Sequence, residues 1–311
     1  GGGGGGSPNG RWASGKAARD AGKRKRTEDY EARRQILKNA DVICCTTIGA
    51  GSDFLHSFHF AAILVDEVAQ ATELSAAVPL VLRGAERLVL VGDHCQLPPT
   101  VASQEAQRRG LSLSLFGRLV AQGLDPFFLD TQFRMHPTIA EFSAREFYHG
   151  RLLSGVSASE RPSPVGFAWP DEDAGMAFVH VDGREERDGE SHANPLEVER
   201  VSEILFGVLA AQELDISQVG VVSPYAAQVR ALRQRLRREL AHELGGGWES
   251  QQRAKDLEIA SVDAFQGREK ELIIFSAVRS NRFGKVGFLS DWRRLNVMIT
   301  RARRGLIIVG D

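Results

Sequence analysis

Six short apolar runs constrain what this chain can fold into: AILV at 62–65, LVLV at 88–91, VGVV at 219–222, LEIA at 257–260, LIIF at 272–275 and LIIV at 306–309. Each is rich in Val, Ile or Leu and continuous rather than alternating, the pattern of a strand covered on both faces of a parallel sheet. VICC at 42–45 is predicted as a further strand. Helical stretches lie between several runs. EDYEARRQILKN spans 28–39, and HPTIAEFSAREF spans 136–147 with Pro137 in a first turn, where its missing N–H costs nothing. AAQVRALRQRLRREL at 226–240 sets Val229, Leu232, Leu236 and Leu240 on one stripe. Strands alternating with helices predict the α/β class with doubly wound parallel sheets, and a second set of such units beyond residue 124 predicts two similar lobes.

The chain carries 39 basic and 40 acidic side chains, so a histone-like polycation is excluded, and an apolar share of 42% excludes disorder throughout its 311 residues. No apolar run approaches the roughly 18 residues of a membrane span, and the start is glycine and charge rather than a signal core. Cys44, Cys45 and Cys95 lie on or beside apolar runs and are predicted as reduced core residues. With His56 and His59 the first two do not have zinc-finger spacing. The balanced total conceals local asymmetry: residues 279–304 hold 8 basic and 1 acidic side chains, a track that could face phosphates as well as a solvated surface. Residues 171–190, with 8 acidic and 2 basic, are predicted as a surface loop. Residues 1–26, a hexaglycine followed by SPNG and a Lys/Arg-rich stretch, are predicted as a disordered leader, in which KRKR at 23–26 resembles a nuclear-import patch.

In open α/β sheets functional groups sit on loops beyond the carboxyl ends of the strands. After AILV comes DEVAQ, with Asp66 and Glu67. One carboxylate there can hold Mg2+ while its neighbour orients and deprotonates a water, although a lone acidic pair also suits a solvated turn. LVLV runs into GDHCQLPP at 92–99, where Asp93 and Gln96 can sense a phosphate or its attacking water. QFRMHP at 132–137 places Arg134 before a helix, and RLNVMITRARRG at 294–305 places Arg301 and Arg303 before the last apolar run. Arginine, always charged and planar, suits charge on a transferring phosphoryl group, and Phe133 can stack on a base. VDAFQGRE at 262–269 gathers Asp263, Gln266, Gly267 and Glu269, with Gly267 permitting close backbone approach to phosphate or ribose. SPYAAQ at 223–228 offers Tyr225 for stacking and Gln228 for a hydrogen bond. Arg282, Lys285, Arg293 and Arg294 flank the Arg301 string and can line a nucleic-acid track. The arginines between 230 and 238 wrap most of their helix and read as a solvated face.

Taken in order, these strings resemble the motif series of superfamily 1 helicases, specifically the up-frameshift (regulator of nonsense transcripts) RNA helicase group. The likeness extends through DVICCTTIGAG at 41–51, ASQEAQRRGLSLSLFGRLV at 102–120 and EIASVDAFQGREKELI at 258–273, and covers residues 27–311. The resemblance implies two RecA-like P-loop NTPase lobes with parallel sheets, ATP with Mg2+ in the cleft, and single-stranded RNA or DNA lying across both. It implies 5′-to-3′ translocation, a role in nonsense-mediated mRNA decay with protein partners from that process, and a cytoplasmic location with nuclear shuttling. By the family pattern Asp66 holds Mg2+, Glu67 activates water, Gln96 touches the γ-phosphate, and Arg134 and Arg301 act as catalytic fingers. Phe133 stacks on adenine where the family commonly has tyrosine, and Gly267 and Glu269 meet the nucleotide. Thr46, Thr47, Tyr225, Asp263 and Arg293 contact nucleic acid.

Such a motor needs a GxxxxGK[ST] loop between a strand and a helix upstream of Asp66. The near match from Gly10 to Lys16 is followed by Ala17, which lacks the hydroxyl for Mg2+, and polyglycine rather than a strand precedes it. The expectation is therefore a later part of a helicase core: leader 1–26, partial first lobe 27–124 with an incomplete sheet and exposed edge, and second lobe 125–311. The alternative is a non-catalytic nucleic-acid- or protein-binding remnant that has lost its phosphate loop.

Overall fold

The computed structural model describes residues 9–171 and 173–311, with side chains from Ala21 onward, Arg26 apart. The chain begins with α1 (Asn9–Lys38), β1 (Ala62–Val65), α2 (Glu73–Arg83), β2 (Arg87–Leu90), α3 (Gln104–Arg108) and α4 (Leu115–Ala121). Next come β3 (Thr131–Gln132), α5 (Pro137–Phe147), β4 (Leu153–Ser154), β5 (Met176–His180), and the pair β6 (Glu186–Asp188) and β7 (Ser191–Ala193). The remainder is α6 (Pro195–Ala210), β8 (Val219–Val222), α7 (Ala226–Glu243), α8 (Gly247–Arg253), β9 (Glu258–Ala260), β10 (Lys270–Ser276), α9 (Trp292–Ile299) and β11 (Ala302–Gly310).

Four of the six apolar runs build one five-stranded sheet, ordered β5-β11-β10-β8-β9, in which every neighbouring pair is parallel. The continuity of those runs has the expected cause, because side chains alternate between two covered faces. Leu272 and Ile274 of β10 enter a core with Leu205 of α6 and Leu232 and Leu236 of α7. Ile273 and Phe275 enter the opposite core, with Ile139 of α5 and Val297 and Met298 of α9. All six of these helix residues are nearly or wholly buried, and each contributes about 1.5–3 kcal/mol by leaving water. The fold is α/β, with the parallel sheet of a RecA-like lobe.

The other two runs behave differently. β1 and β2 pair in parallel as a two-stranded sheet, yet Leu64 is 63% exposed and Leu88 and Val89 are exposed as well. The expectation of two covered faces is corrected here: α2 and α4 reach one face only, where Val65, Val68 and Ala76 form a small core with Leu115 and Phe116. VICC is not a strand. No strand pairs with it among the described residues, and Val42, Cys44 and Cys45 are exposed, so the prediction of core cysteines holds for Cys95 alone. The chain following it is pinned to α2 instead: the Arg83 guanidinium donates to the carbonyls of Ala50 at 2.6 Å and Ser52 at 2.7 Å.

Two further expectations change. The leader prediction is corrected over residues 9–26, which are the first half of α1; their Ala, Lys and Arg favour helix even though they supply little apolar surface. The stretch at 1–8 lies outside the described residues. The phosphate-loop near match, Gly10 to Lys16, therefore lies within a helix rather than at a strand–helix turn. The acidic segment 171–190 is not a plain loop, because its apolar MAFVH forms the edge strand β5 and its end pairs in the β6–β7 hairpin. Of the five α7 arginines Arg230, Arg233 and Arg238 are exposed, as a solvated face requires, while Arg230 meets Asp188, Arg235 meets Glu199 and Glu239, and Arg233 donates to the Ile259 carbonyl.

A buried polar hub ties α6 to the end of β10. Glu197, wholly buried, accepts the Val278 N–H at 2.9 Å, the Ser276 hydroxyl at 2.6 Å and the Asn194 amide at 3.2 Å. Burial raises its pKa above the ordinary value of 4.5, against the opposing pull of those hydrogen bonds. A carboxyl so raised contributes stability that is complete below the unfolded value and is lost as pH rises through the folded one. Wild-type stability, followed by urea midpoints, should therefore fall as pH climbs above 4.5. Glu197→Gln should remove that slope and still lose about 1–3 kcal/mol, because its NH2 would face the Val278 N–H, which only donates. An unchanged slope in the variant would assign it to another group.

Candidate nucleotide and nucleic-acid site

The carboxyl ends of β1 and β2 are stitched together by Val91 N–H to the Val65 carbonyl and Val68 N–H to the Val91 carbonyl, both 2.9 Å. Asp66 and Glu67 emerge at that edge, with Glu67 in the left-handed region at φ 52°. Asp66 Oδ1 accepts the Glu67 N–H at 2.9 Å, and Glu67 Oε2 accepts the Gln70 amide at 2.6 Å. Both side chains stay exposed. Asp66 Oδ2 has no hydrogen bond among the described residues, and a free hard oxygen at a strand end suits Mg2+.

The loop after β2 is organised by Asp93. Its Oδ1 accepts the Cys95 N–H at 2.9 Å, and its Oδ2 accepts both the Gln96 amide at 2.9 Å and the Tyr148 hydroxyl at 2.6 Å. Tyr148 in turn accepts from Asn296 Nδ2 at 3.0 Å, and the same amide donates to the Cys95 carbonyl at 2.8 Å. Ser143 closes the set by donating to Asn296 Oδ1 at 2.6 Å. Burial, then the charge of Asp93, push the Tyr148 phenol upward, so it remains a donor at any working pH. The same two causes push the Cys95 thiol up to about 11. Leu97 is buried in the core of the second sheet, and Arg293 donates to the His94 carbonyl at 3.3 Å. This loop thus joins the two-stranded sheet to the core of the five-stranded one. Sequence reasoning singled out Asp93 and Gln96 but missed Tyr148 and Asn296; Asn296 lies within a quoted string, whereas Tyr148 lies outside every motif.

Arg134 is set by its own turn. Gln132 Oε1 accepts the N–H groups of Arg134 at 2.9 Å and Met135 at 2.7 Å, and Arg161 donates to the carbonyls of Phe133 and Arg134. The Arg134 guanidinium pairs with Glu269 and donates to the Thr300 carbonyl at 3.2 Å. Arg301 is 2% exposed and donates to the Val297 carbonyl at 2.9 Å and the Thr300 hydroxyl at 2.8 Å. Burial, then the like charge of Arg134, lower its pKa to about 10, while Glu67 and Glu269 oppose the fall. It remains a cation at neutral pH.

The other predicted residues divide. The Phe133 ring is 64% exposed and lies against Gly155, where a Cβ would stand 2.3 Å from a ring carbon, so a side chain there would displace it. Gly267 has φ +74° with open space around it, as close ligand approach requires. Asp263 pairs with Arg294 at 3.3 Å. Thr46 is exposed and accepts the Gly49 N–H at 2.9 Å, while Thr47 is half-buried. Tyr225 is a correction: only 8% exposed, its ring sits beside His192 and Phe288, and its hydroxyl accepts from Arg279 and the Phe288 N–H, both at 3.2 Å. It holds a loop and offers no face to a base. Gln228 is buried between Asn194 and Ser276.

A family profile described as an AAA domain matches residues 111–311, and a second with the same description matches 11–104. The regulator of nonsense transcripts 1 homolog of Drosophila melanogaster is 45% identical over 291 residues, 93% of this chain and 24% of that protein. The ATP-dependent helicase upf1 of Schizosaccharomyces pombe is 41% identical over 283 residues, 90% of this chain and 30% of that protein. The chain thus spans about a quarter of the length of these curated relatives. Among solved structures, the Arterivirus nonstructural protein 10 helicase aligns with 80% of this chain and 38% of its own at TM-score 0.39 and 13% identity. The fold assignment rests on the sheet order instead.

Proposed function

Because the chain belongs to the AAA domain family and, within it, to the regulator-of-nonsense-transcripts helicase group, we propose that it forms part of the core of an ATP-dependent helicase acting on single-stranded RNA. The observation that carries this reading is the bonded joint between the two halves of the motif series: the Asp93 loop that holds Gln96 is tied through Tyr148 to Asn296 of α9, and Arg134 and Arg301 stand side by side on Thr300 at the end of that helix. Glu67 takes a proton from the attacking water, and Arg134 and Arg301 oppose the charge that develops on the transferring phosphoryl group. Gln96, held by Asp93, orients that water. Asp66 would hold Mg2+, which when bound neutralises phosphate charge. Phe133 offers its exposed face to the adenine, and Gly267 lets backbone approach the nucleotide. The strand lies across both lobes, touching Thr46, Thr47, Asp263 and Arg293, and is moved 5′-to-3′ as the lobes close and open with each hydrolysis. Nonsense-mediated mRNA decay, with protein partners from that process, is the cellular role proposed.

A second reading, a non-catalytic strand-binding module, concerns this stretch of chain alone. It is favoured by the placement of the phosphate-loop near match inside α1. Both readings meet in one experiment on the 311-residue protein. It should bind a single-stranded uridine oligonucleotide with an affinity that falls at least tenfold between about 50 and 200 mM salt, and should turn over no ATP. Absence of binding at low salt would overturn the strand-binding core. Turnover by this chain would show a phosphate site in it and reject the non-catalytic reading.

A further inference from the structure

The connection between β10 and α9 carries an exposed aromatic ring on a turn that is built rather than loose. The chain leaves β10 through Val278, a β-branched residue at φ +73°, a conformation that costs about 1–3 kcal/mol and persists only where surroundings impose it. Here Glu197 holds its N–H. Glu185 then accepts from Arg279 Nε at 2.7 Å, the Ser280 N–H at 3.1 Å and Asn281 Nδ2 at 3.4 Å. Asn281 closes the turn: its Oδ1 accepts the N–H groups of Phe283 at 3.2 Å and Lys285 at 3.1 Å, and its amide donates to the Lys285 carbonyl at 2.9 Å. At the tip stands Phe283, 68% exposed, with the Arg282 guanidinium 4.8 Å and the Lys285 ammonium 5.7 Å from its ring centre. Neither cation has an ion pair among the described residues.

The geometry points to Phe283 as a base-stacking platform for single-stranded nucleic acid, with Arg282 and Lys285 as its phosphate contacts. The inference rests on the strand-binding reading above and adds to it a site outside the residues that the motif series supplies. Holding a large apolar ring in water on a pinned turn contributes nothing to folding, but it removes the entropy cost of presenting a flat face to a ligand. A base supplies the matching face, and two long unpaired cations beside it can swing to the flanking phosphates. The same connection continues the pattern with Phe288, 42% exposed under the Arg294 guanidinium at 3.7 Å, and Trp292, 40% exposed under that of Arg293 at 4.8 Å. Arg294 in turn pairs with Asp263, so the row joins the proposed strand contacts. An acidic peptide would use the cations and leave the ring wet.

Binding of a fluorescent uridine oligonucleotide to the 311-residue protein tests this, with a base-free sugar-phosphate chain of equal length as the second probe. Phe283→Ala should weaken the oligonucleotide about 5- to 100-fold and leave the base-free chain unchanged, while Phe283→Trp restores binding and Phe283→Leu does not. Arg282→Ala and Lys285→Ala should each flatten the dependence on log salt by roughly 0.7. Asn281→Ala, which frees the turn without touching the ring, should reproduce part of the loss. Undiminished binding by Phe283→Ala, full binding by Phe283→Leu, or displacement of the oligonucleotide by polyglutamate only when Phe283 is present would each overturn the platform while leaving strand binding intact. Failure of the wild-type protein to bind any strand would instead take the strand-binding reading with it.

Discussion

Glu67→Gln is expected to lower strand-stimulated ATP hydrolysis about 10³-fold, as loss of a general base does, in a longer form of the protein that supplies a phosphate loop to this chain. ATP binding should be retained. Gln keeps the length of the side chain and can occupy the same left-handed backbone position at φ 52°, so the turn between Asp66 and Val68 survives. It also keeps a carbonyl oxygen for the Gln70 amide, which lies 2.6 Å from Glu67 Oε2. What it loses is a site for the proton of the attacking water. Hydrolysis measured at saturating RNA, beside equilibrium binding of a labelled ATP analogue, separates the two effects. Turnover within tenfold of wild type would remove Glu67 from the role of base. Loss of ATP binding in parallel would make it a binding residue.

Asn296→Leu is expected to cost about 3 kcal/mol of stability, the largest loss anticipated from one substitution at the joint. Leucine keeps the branching and heavy-atom count of asparagine, so the main effect is loss of the hydrogen bonds. The variant leaves the Cys95 carbonyl and the Ser143 hydroxyl without a partner and takes one donor from the Tyr148 hydroxyl, which keeps its bond to Asp93, and every unsatisfied buried group costs about 1–3 kcal/mol. Tyr148→Phe alone should cost less, since Asp93 keeps the Cys95 N–H and the Gln96 amide. Combined, the two should be less than additive by 0.5 kcal/mol or more, the mark of a shared network. Urea unfolding of both variants and the double variant reads this directly. Strict additivity would show that Asn296 and Tyr148 act separately and that the Gln96 loop is not tied to α9 through them.

The division between what was legible in the chain and what was not follows the range of the interactions. LIIF and LIIV announced buried strands because both faces of β10 and β11 meet helices, and the stripe of Val229, Leu232, Leu236 and Leu240 announced α7 because all four are buried together. LVLV and AILV carried the same signal and formed strands, yet their outer faces stayed open, and VICC carried it and formed none. Apolarity records a tendency to be covered; coverage itself depends on which helix or strand arrives. Likewise Asp66, Glu67, Gln96 and Arg134 stood in local strings with recognisable chemistry, whereas Tyr225 looked like a free ring until its surroundings closed over it.

The strands β1, β2, β8, β9, β10 and β11, the helices α5 and α7, their α/β order and the polar strings at strand ends were determined by the sequence alone, since each is a property of residues adjacent along the chain. The tertiary structure alone decided that Asp93 meets Tyr148 across 55 residues, that Tyr148 meets Asn296 across 148, and that the Asn281 turn displays Phe283 to solvent while Tyr225 is enclosed. Those outcomes depend on how two sheets and their connections pack, and hydrogen bonds between distant residues leave no periodicity for a linear reading to find.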